Sequence, residues 1–319
     1  MLNIFKTEGT SLKELTAATL EKGAWIHLVN PSMDELNTVT DGTGVPMDFL
    51  GAALDEEERS RLEVEENCIL VITNIPLLID ENNFDTLPLG IVITQDYFIT
   101  VCLKHSDIFS HFRSERSAFF DTQKKTRFLF QIQYKVAELY LKHLAYISRH
   151  TDRIEQILRK SMQNRSLFHL FEIERSLVYF TTALKDNGVV LKKLLRLRKS
   201  SQFQHLLQMY EEDEDLLEDV IIEDEQAVEM VEMHRNVLSG MMNAFASIIS
   251  NNLNMVMKFL ATITIILAVP TMIASFWGMN VRVPWGISDN HPLGFLYVVI
   301  FAVASTSIIA MMLLKKEQL

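Results

Sequence analysis

Residues 258–280 read KFLATITIILAVPTMIASFWGMN, and this stretch decides the fold. After Lys258 it carries no charged side chain, and an α-helix needs roughly 20 apolar residues to cross a bilayer. A second uncharged run follows after a short loop, Arg282 to His291. The two runs predict a pair of transmembrane helices, at residues 259–281 and 292–314.

The remainder of the chain is polar and acidic. Of 319 residues, 41 are acidic and 30 basic, and the formal net charge is −11. Proteins that bind nucleic acid contact its phosphates with clustered Lys and Arg, so this balance argues against a nucleic-acid partner. An acidic surface is compatible with cations as ligands.

Cysteine usage and the N-terminal residues indicate the compartment. Cys68 and Cys102 lie in apolar runs, where buried free thiols are common, and their spacing fits neither a disulfide framework nor a zinc site. The first residues, MLNIFKTE, lack the apolar core of a signal peptide. We therefore expect the polar part to stay in the cytoplasm.

The charges that flank the two spans predict the topology. Lys258 precedes the first span, and Lys315 and Lys316 follow the second, whereas the intervening loop has only Arg282, offset by Asp289. Positive residues are retained on the cytoplasmic side. Both termini are therefore expected in the cytoplasm, with the protein spanning the cell membrane twice.

The first 120 residues combine strand and helix signals. The sequence WIHLV at 25–29 is typical of a strand, and Ser32 with Glu35 has the spacing of a capping box at a helix start. The sequence DGTG at 41–44 predicts a turn. This part is expected to be a mixed α and β domain.

Two more strand regions and two helices follow. Residues 68–79 and 91–103 are rich in β-branched side chains, and a turn is predicted at Gln95-Asp96. Apolar residues then recur at helical spacing from 128 to 158 and from 167 to 197. These helices are expected to form an antiparallel hairpin.

A third helix is expected to be very long. Between residues 213 and 277 the sequence contains a single proline, Pro270, and a single glycine, Gly240. A helix of that length extends about 100 Å and needs partners, which predicts oligomerisation around a common axis. The predicted organisation has three parts: a cytoplasmic α/β domain at 1–120, a cytoplasmic helical hairpin and stalk at 121–257, and a transmembrane pore domain at 258–319.

Gly278-Met279-Asn280 ends the first span. Glycine permits the backbone to leave the helix, and Asn280 offers a neutral carbonyl oxygen. A ring of such oxygens suits a hydrated divalent cation, because Mg²⁺ gives up its water reluctantly. The alternative is a helix C-cap with a solvated Asn. The position of the tripeptide at the end of a span favours the functional interpretation.

The chain resembles the CorA family of magnesium transporters, also called the two-transmembrane GxN family. The resemblance rests on Gly278-Met279-Asn280, on NMVMKFL at 254–260, on Phe276-Trp277, and on the acidic-then-Arg sequence LDEEERSRLE at 54–63. It covers most of the chain. It implies a funnel-shaped homopentamer in the bilayer, whose first membrane helix lines the pore while the second faces lipid.

The resemblance also implies roles for individual residues. Met257 and Leu260 would form a hydrophobic constriction that gates by excluding water, although their spacing alone fits lipid or helix contacts as well. Gly278, Met279 and Asn280 would form the selectivity motif. Pore-lining positions by this alignment are Asn254, Met257, Leu260, Thr264 and Thr271.

An acidic run from Glu211 to Glu225 contains no Lys or Arg. Such runs are usually solvated helix faces. The resemblance implies instead that carboxylates of neighbouring subunits bind Mg²⁺ as a sensor that holds the channel closed. Asp219 matches one such position, and Asp80 is a looser match for its partner.

The expected function is a divalent-cation channel that takes up Mg²⁺, and also Co²⁺ or Ni²⁺. Two alternatives stay open: a transporter of Zn²⁺ or another divalent cation, and a non-conducting, membrane-anchored coiled-coil scaffold or sensor. The sequence contains no phosphate loop, no HExxH and no nucleophile elbow, so an enzyme is not expected.

Overall fold

The computed structural model describes most of the chain, the residues left undescribed being 10, 17–19, 81–82, 114–119, 161–163, 198–204, 280–293 and 318–319. The chain divides into two compact units, Met1–Gly240 and Met241–Leu319. The strands are β1 (Leu2–Glu8), β2 (Ser11–Leu15), β3 (Trp25–Val29), β4 (Arg61–Val64), β5 (Cys68–Asp80), β6 (Asn83–Thr94) and β7 (Phe98–Cys102). The helices are α1 (Met33–Thr43), α2 (Met47–Gly51), α3 (Ile108–Arg113), α4 (Lys125–Lys160), α5 (Asn164–Leu197), α6 (Glu211–Trp277) and α7 (Gly294–Glu317), with a 3₁₀ turn at Ala52–Leu54.

The strands of the first unit form one sheet in the order β2-β1-β3-β7-β6-β5-β4. Only β3 and β7 pair in parallel among the described strands, and the other pairs are antiparallel. Successive residues of β5 from Cys68 to Ile75 are all buried, although neighbours point to opposite faces. The sheet is therefore covered on both faces.

Different helices cover the two faces. One apolar cluster joins Leu70 and Val92 of the sheet to Leu36 of α1 and Leu50 of α2. On the other face, the ring of Phe128 in α4 lies 5.2 Å from Trp25 and 4.3 Å from Phe98, measured between centroids. These layers bury most of the apolar side chains of the strands.

A polar contact fixes α4 and α5 to the sheet. The Asn187 side chain of α5 accepts a hydrogen bond from the backbone N–H of Asn74 at 2.9 Å and donates to its carbonyl at 2.9 Å. The hydroxyl of Tyr140 in α4 donates to the same carbonyl at 2.9 Å. Both helices are thus held at one residue of β5.

The local predictions for β3 and α1 are confirmed, with one exception. The strand is Trp25–Val29, and the capping box of Ser32 and Glu35 is formed. The turn predicted at 41–44 is wrong, because α1 continues to Thr43. Gly44 ends the helix in the left-handed conformation, at φ 72°, and its N–H donates to the Thr40 carbonyl.

The long helix is confirmed. α6 is continuous over 67 residues and includes Pro270. At 1.5 Å per residue it is about 100 Å long. α6 and α7 are the two helices among the described residues that are long and apolar enough to cross a membrane.

Candidate ion pathway

One face of α6 in the second unit carries a series of side chains that are polar or small except for one methionine, here called the polar seam. Its members are alternately three and four residues apart, an average of 3.5, and every one is exposed. That repeat is the one by which helices wind around each other. The polar seam consists of Asn243, Ser247, Ser250, Asn254, Met257, Ala261, Thr264, Ala268, Thr271, Ser275 and Gly278.

The opposite face of α6 is partly covered. Ile273 is buried, and the Trp277 ring lies 6.1 Å from Phe301 of α7. The half-covered face of α7 includes Ala302, Thr306 and Ala310, small residues that allow close helix contact in membranes. α7 therefore packs behind α6 and leaves the polar seam uncovered. The other covered positions of α6 between Phe259 and Trp277 are Thr262, Ile266, Val269 and Pro270.

The two threonines of the polar seam present oxygen acceptors. The Thr264 hydroxyl donates to the Leu260 carbonyl at 2.8 Å, and the Thr271 hydroxyl donates to the Leu267 carbonyl at 2.9 Å. Since each proton is used within the helix, the remaining lone pairs can accept from water. Small side chains around them, such as Ala268, leave a shallow groove along this face.

The structure separates the predicted pore-lining residues into two sets. Asn254, Met257, Thr264 and Thr271 belong to the polar seam, whereas Leu260 lies beside it, next to Ala261. Met257 is the large apolar member of the series, and its side chain is 58% exposed. In a membrane protein such a surface contacts lipid or another chain.

The end of the first span is described as far as Met279. α6 ends at Trp277, and the N–H of Gly278 still donates to the Ala274 carbonyl at 3.0 Å. A Cβ on Gly278 would lie 3.3 Å from that carbonyl oxygen, which is a close approach. Asn280 lies outside the described residues.

The predicted regulatory carboxylates do not form a metal site within one chain. Asp219 is exposed on α6, and Asp80 is exposed at the end of β5, where the pairing with β6 shifts register. In the described part of the chain, no group of three or more His, Cys, Asp or Glu side chains is placed to hold a metal ion. The prediction concerned carboxylates of neighbouring subunits, and it stays a prediction.

The acidic run is not uniformly solvated. Asp213 is 4% exposed and accepts a hydrogen bond from the Tyr210 backbone N–H at 3.1 Å. Asp224 is also 4% exposed. Both recur at the spacing of the apolar residues Leu217 and Val220, and this repeat is the signal that sequence analysis missed.

Comparison with known proteins identifies the family of the chain. The family model described as CorA-like Mg²⁺ transporter protein matches residues 21–316. The cobalt/magnesium transport protein CorA of Methanocaldococcus jannaschii is 28% identical over 284 residues, which are 86% of this chain and 84% of that protein. The protein of the same name from Thermotoga maritima is 24% identical over 82% of this chain and 76% of its own length.

Solved structures show the same fold over the whole chain. The complete structure of the CorA magnesium transporter from M. jannaschii matches with a TM-score of 0.81 at 25% identity, covering 99% of this chain and 96% of that one. The full-length CmaX protein, at 15% identity and a TM-score of 0.72, covers 100% and 97% and shows the fold alone. The chain belongs to the CorA-like Mg²⁺ transporter family.

Proposed function

We propose that five copies of this chain form a channel that carries Mg²⁺, and also Co²⁺ or Ni²⁺, across the cell membrane. The polar seam is the observation that carries the proposal. Thr264, Thr271 and Ser275 lie within the first span, where hydroxyl groups facing lipid are unfavourable. A 3.5-residue repeat lets the same face of several copies meet around an axis. The two relatives named as cobalt/magnesium transport proteins support the choice of ions.

In this arrangement residues 1–257 lie in the cytoplasm and residues 258–319 form the pore. α6 lines the pathway and α7 lies behind it. A wall of neutral oxygens binds the hydration shell of a cation, so the ion need not lose its water. The membrane potential then drives entry with about 4.6 kcal/mol per 100 mV for a divalent ion.

The proposal assigns distinct roles along the pathway. Asn280 forms the selectivity ring with Gly278 and Met279. Met257 and Leu260 form the apolar constriction, which closes when it loses water. Asp219, with Asp80 of a neighbouring copy, holds a regulatory Mg²⁺ between carboxylates that otherwise repel. When that ion leaves, the closed state loses its advantage.

A flux assay tests the channel. Purified native protein and the Asn280→Ala variant are placed in liposomes with an internal Mg²⁺ dye and an inside-negative potential. Loss of one hydrogen-bonding carbonyl in every subunit should lower flux at least about tenfold. Ser307→Ala is the matched control, because Ser307 is exposed on α7 and its hydroxyl donates to the Val303 carbonyl at 2.8 Å.

The outcomes separate the alternatives. Equal flux from native and variant protein, or none from either, would contradict the channel and favour a non-conducting scaffold. Flux of Zn²⁺ in preference to Mg²⁺ would keep the pore and overturn the proposed ion.

A further inference from the structure

The cytoplasmic part of α6 has a second seam, here called the buried seam. It consists of Leu217, Val220, Asp224, Ala227 and Val231, which are again alternately three and four residues apart. His234 falls in the same register and is half-buried. Leu217, Val220, Ala227 and Val231 are completely buried, as expected for a helix–helix core. Asp224 occupies the position of this repeat between Val220 and Ala227, and it is 4% exposed.

A glycine faces this carboxyl. Gly188 lies in the interior of α5, and a Cβ placed on it would be 2.9 Å from Oδ2 of Asp224. A glycine within a helix is less favourable than alanine by about 1 kcal/mol, so the missing side chain needs a reason. Here it provides the space that the carboxyl occupies between α5 and α6.

The carboxyl is accommodated without a hydrogen bond. Within the described parts of the chain no hydrogen bond or ion pair to Asp224 is formed. The nearby Tyr140 hydroxyl on α4 donates to the Asn74 carbonyl. A buried carboxylate without donors is strongly disfavoured, whereas the neutral acid is tolerated.

The charged neighbours do not reverse this preference. Lys192 of α5 pairs with Glu225 at 2.9 Å, and both side chains are 57% exposed. Burial, and then the charge of Glu225, raise the pKa of Asp224 to about 7, and Lys192 lowers it only in part. On α4, burial and then the Asp224 charge raise the pKa of Tyr140 well above its usual value.

We propose that Asp224 is a proton-sensitive positioning residue that sets how firmly α6 packs against α5. In the packed state the acid is neutral and fits opposite Gly188. Once ionised, its charge is relieved only when the seam separates and water reaches the carboxyl. Protons therefore stabilise the packed arrangement of the helix.

The sign of the pH dependence follows from the two pKa values. The pKa of Asp224 is raised from 3.8 to about 7 by packing, so the neutral acid favours the packed state. This stabilisation is complete below about pH 4, is lost as the pH rises toward 7, and changes little above that. His234, on the same seam, has its pKa lowered by burial, and its protonation would loosen packing at the acid end.

Hydrogen exchange of the full chain in lipid nanodiscs tests the proposal. Exchange of α5 and α6 amides is compared between native protein and Asp224→Asn at each pH, so that the intrinsic pH dependence cancels. The opening constant of the native protein relative to the variant should rise about tenfold per pH unit between pH 5 and 6, and level off near pH 7. Glu229→Gln, which changes an exposed carboxylate of the same helix, should follow the native protein.

A ratio that does not change with pH would overturn the proposal, since a purely structural role loosens the seam equally at every pH. Gly188→Ala gives a second measurement. Its Cβ would crowd Oδ2 of Asp224. Gly188→Ala should therefore loosen the buried seam more in the native background than in the Asp224→Ala background. Equal loosening in both backgrounds would also overturn it.

A consequence for transport rests on the proposed function, because α6 is the helix that enters the membrane. Flux through native channels should depend on internal pH between 5 and 7, and this dependence should disappear in Asp224→Asn. Absence of flux with a pH-dependent exchange ratio contradicts the channel alone. If flux is present but the exchange ratio does not change with pH, only the proposed role of Asp224 is contradicted.

Discussion

Two stretches of one helix use the same repeat in opposite ways. In the buried seam of α6, Leu217 and Val231 are completely covered by the chain itself. In the polar seam, Thr264 and Ser275 recur at the same spacing but remain exposed. The repeat alone indicates that a helix face contacts other helices. The polarity of its side chains indicates whether the space between the helices holds apolar side chains or water. An apolar face is a core, whereas a polar face inside a bilayer indicates water.

A second carboxyl in the buried seam should lower the stability of the protein more than any other substitution considered below. Val220 is completely buried, one turn from Asp224, and Val220→Asp would place a second carboxyl there. Burying this carboxyl without a hydrogen-bond partner, whether it is ionised or protonated, should destabilise the first unit by about 3 kcal/mol or more. The measurement is the thermal unfolding midpoint of the purified protein. Thr264→Ser, in the polar seam, should leave the midpoint unchanged, and equal shifts for both would remove the distinction between the seams.

A smaller effect is expected one residue away. Asp219 is exposed beside the buried Val220, so Asp219→Lys should leave the unfolding midpoint close to the native value. It should instead weaken the inhibition of flux by Mg²⁺ on the cytoplasmic side, because a cation replaces a proposed ligand. Unchanged Mg²⁺ inhibition would show that Asp219 is not a sensor residue.

Much of the fold follows from local signals. The capping box at Ser32, the strand at 25–29 and the long uninterrupted helix were all predictable, because each depends on neighbours in sequence. β1, β2 and β4 were not predicted, and β6 was predicted only from Ile91, although it begins at Asn83. β4 is only four residues long and half-buried, so it is defined by its pairing with β5, such as Arg61 with Ile72, and not by a run of apolar residues.

Some residues of the candidate site were named in advance and others were not. Thr264 and Thr271 were chosen by the resemblance to the CorA family, and both lie on the polar seam. Asp213 and Asp224 could not be chosen, because they lie within a run that resembles a solvated surface. Only the positions of α5 and its Gly188 show that one carboxyl of the run is enclosed.

Cysteine accessibility along the first span distinguishes a water-filled pathway on one face of α6 from a helix that meets lipid on all sides. Both native cysteines are buried, so an introduced thiol can be modified selectively by a charged, membrane-impermeant reagent. If the polar seam lines a water-filled pathway, modification should block flux at one face of α6 and have no effect at the other. Block is expected for cysteines at Thr264, Ala268 and Thr271, and none for cysteines at Ile266, Val269 and Ile273. Equal sensitivity of the two faces, or sensitivity of the second set alone, would contradict it.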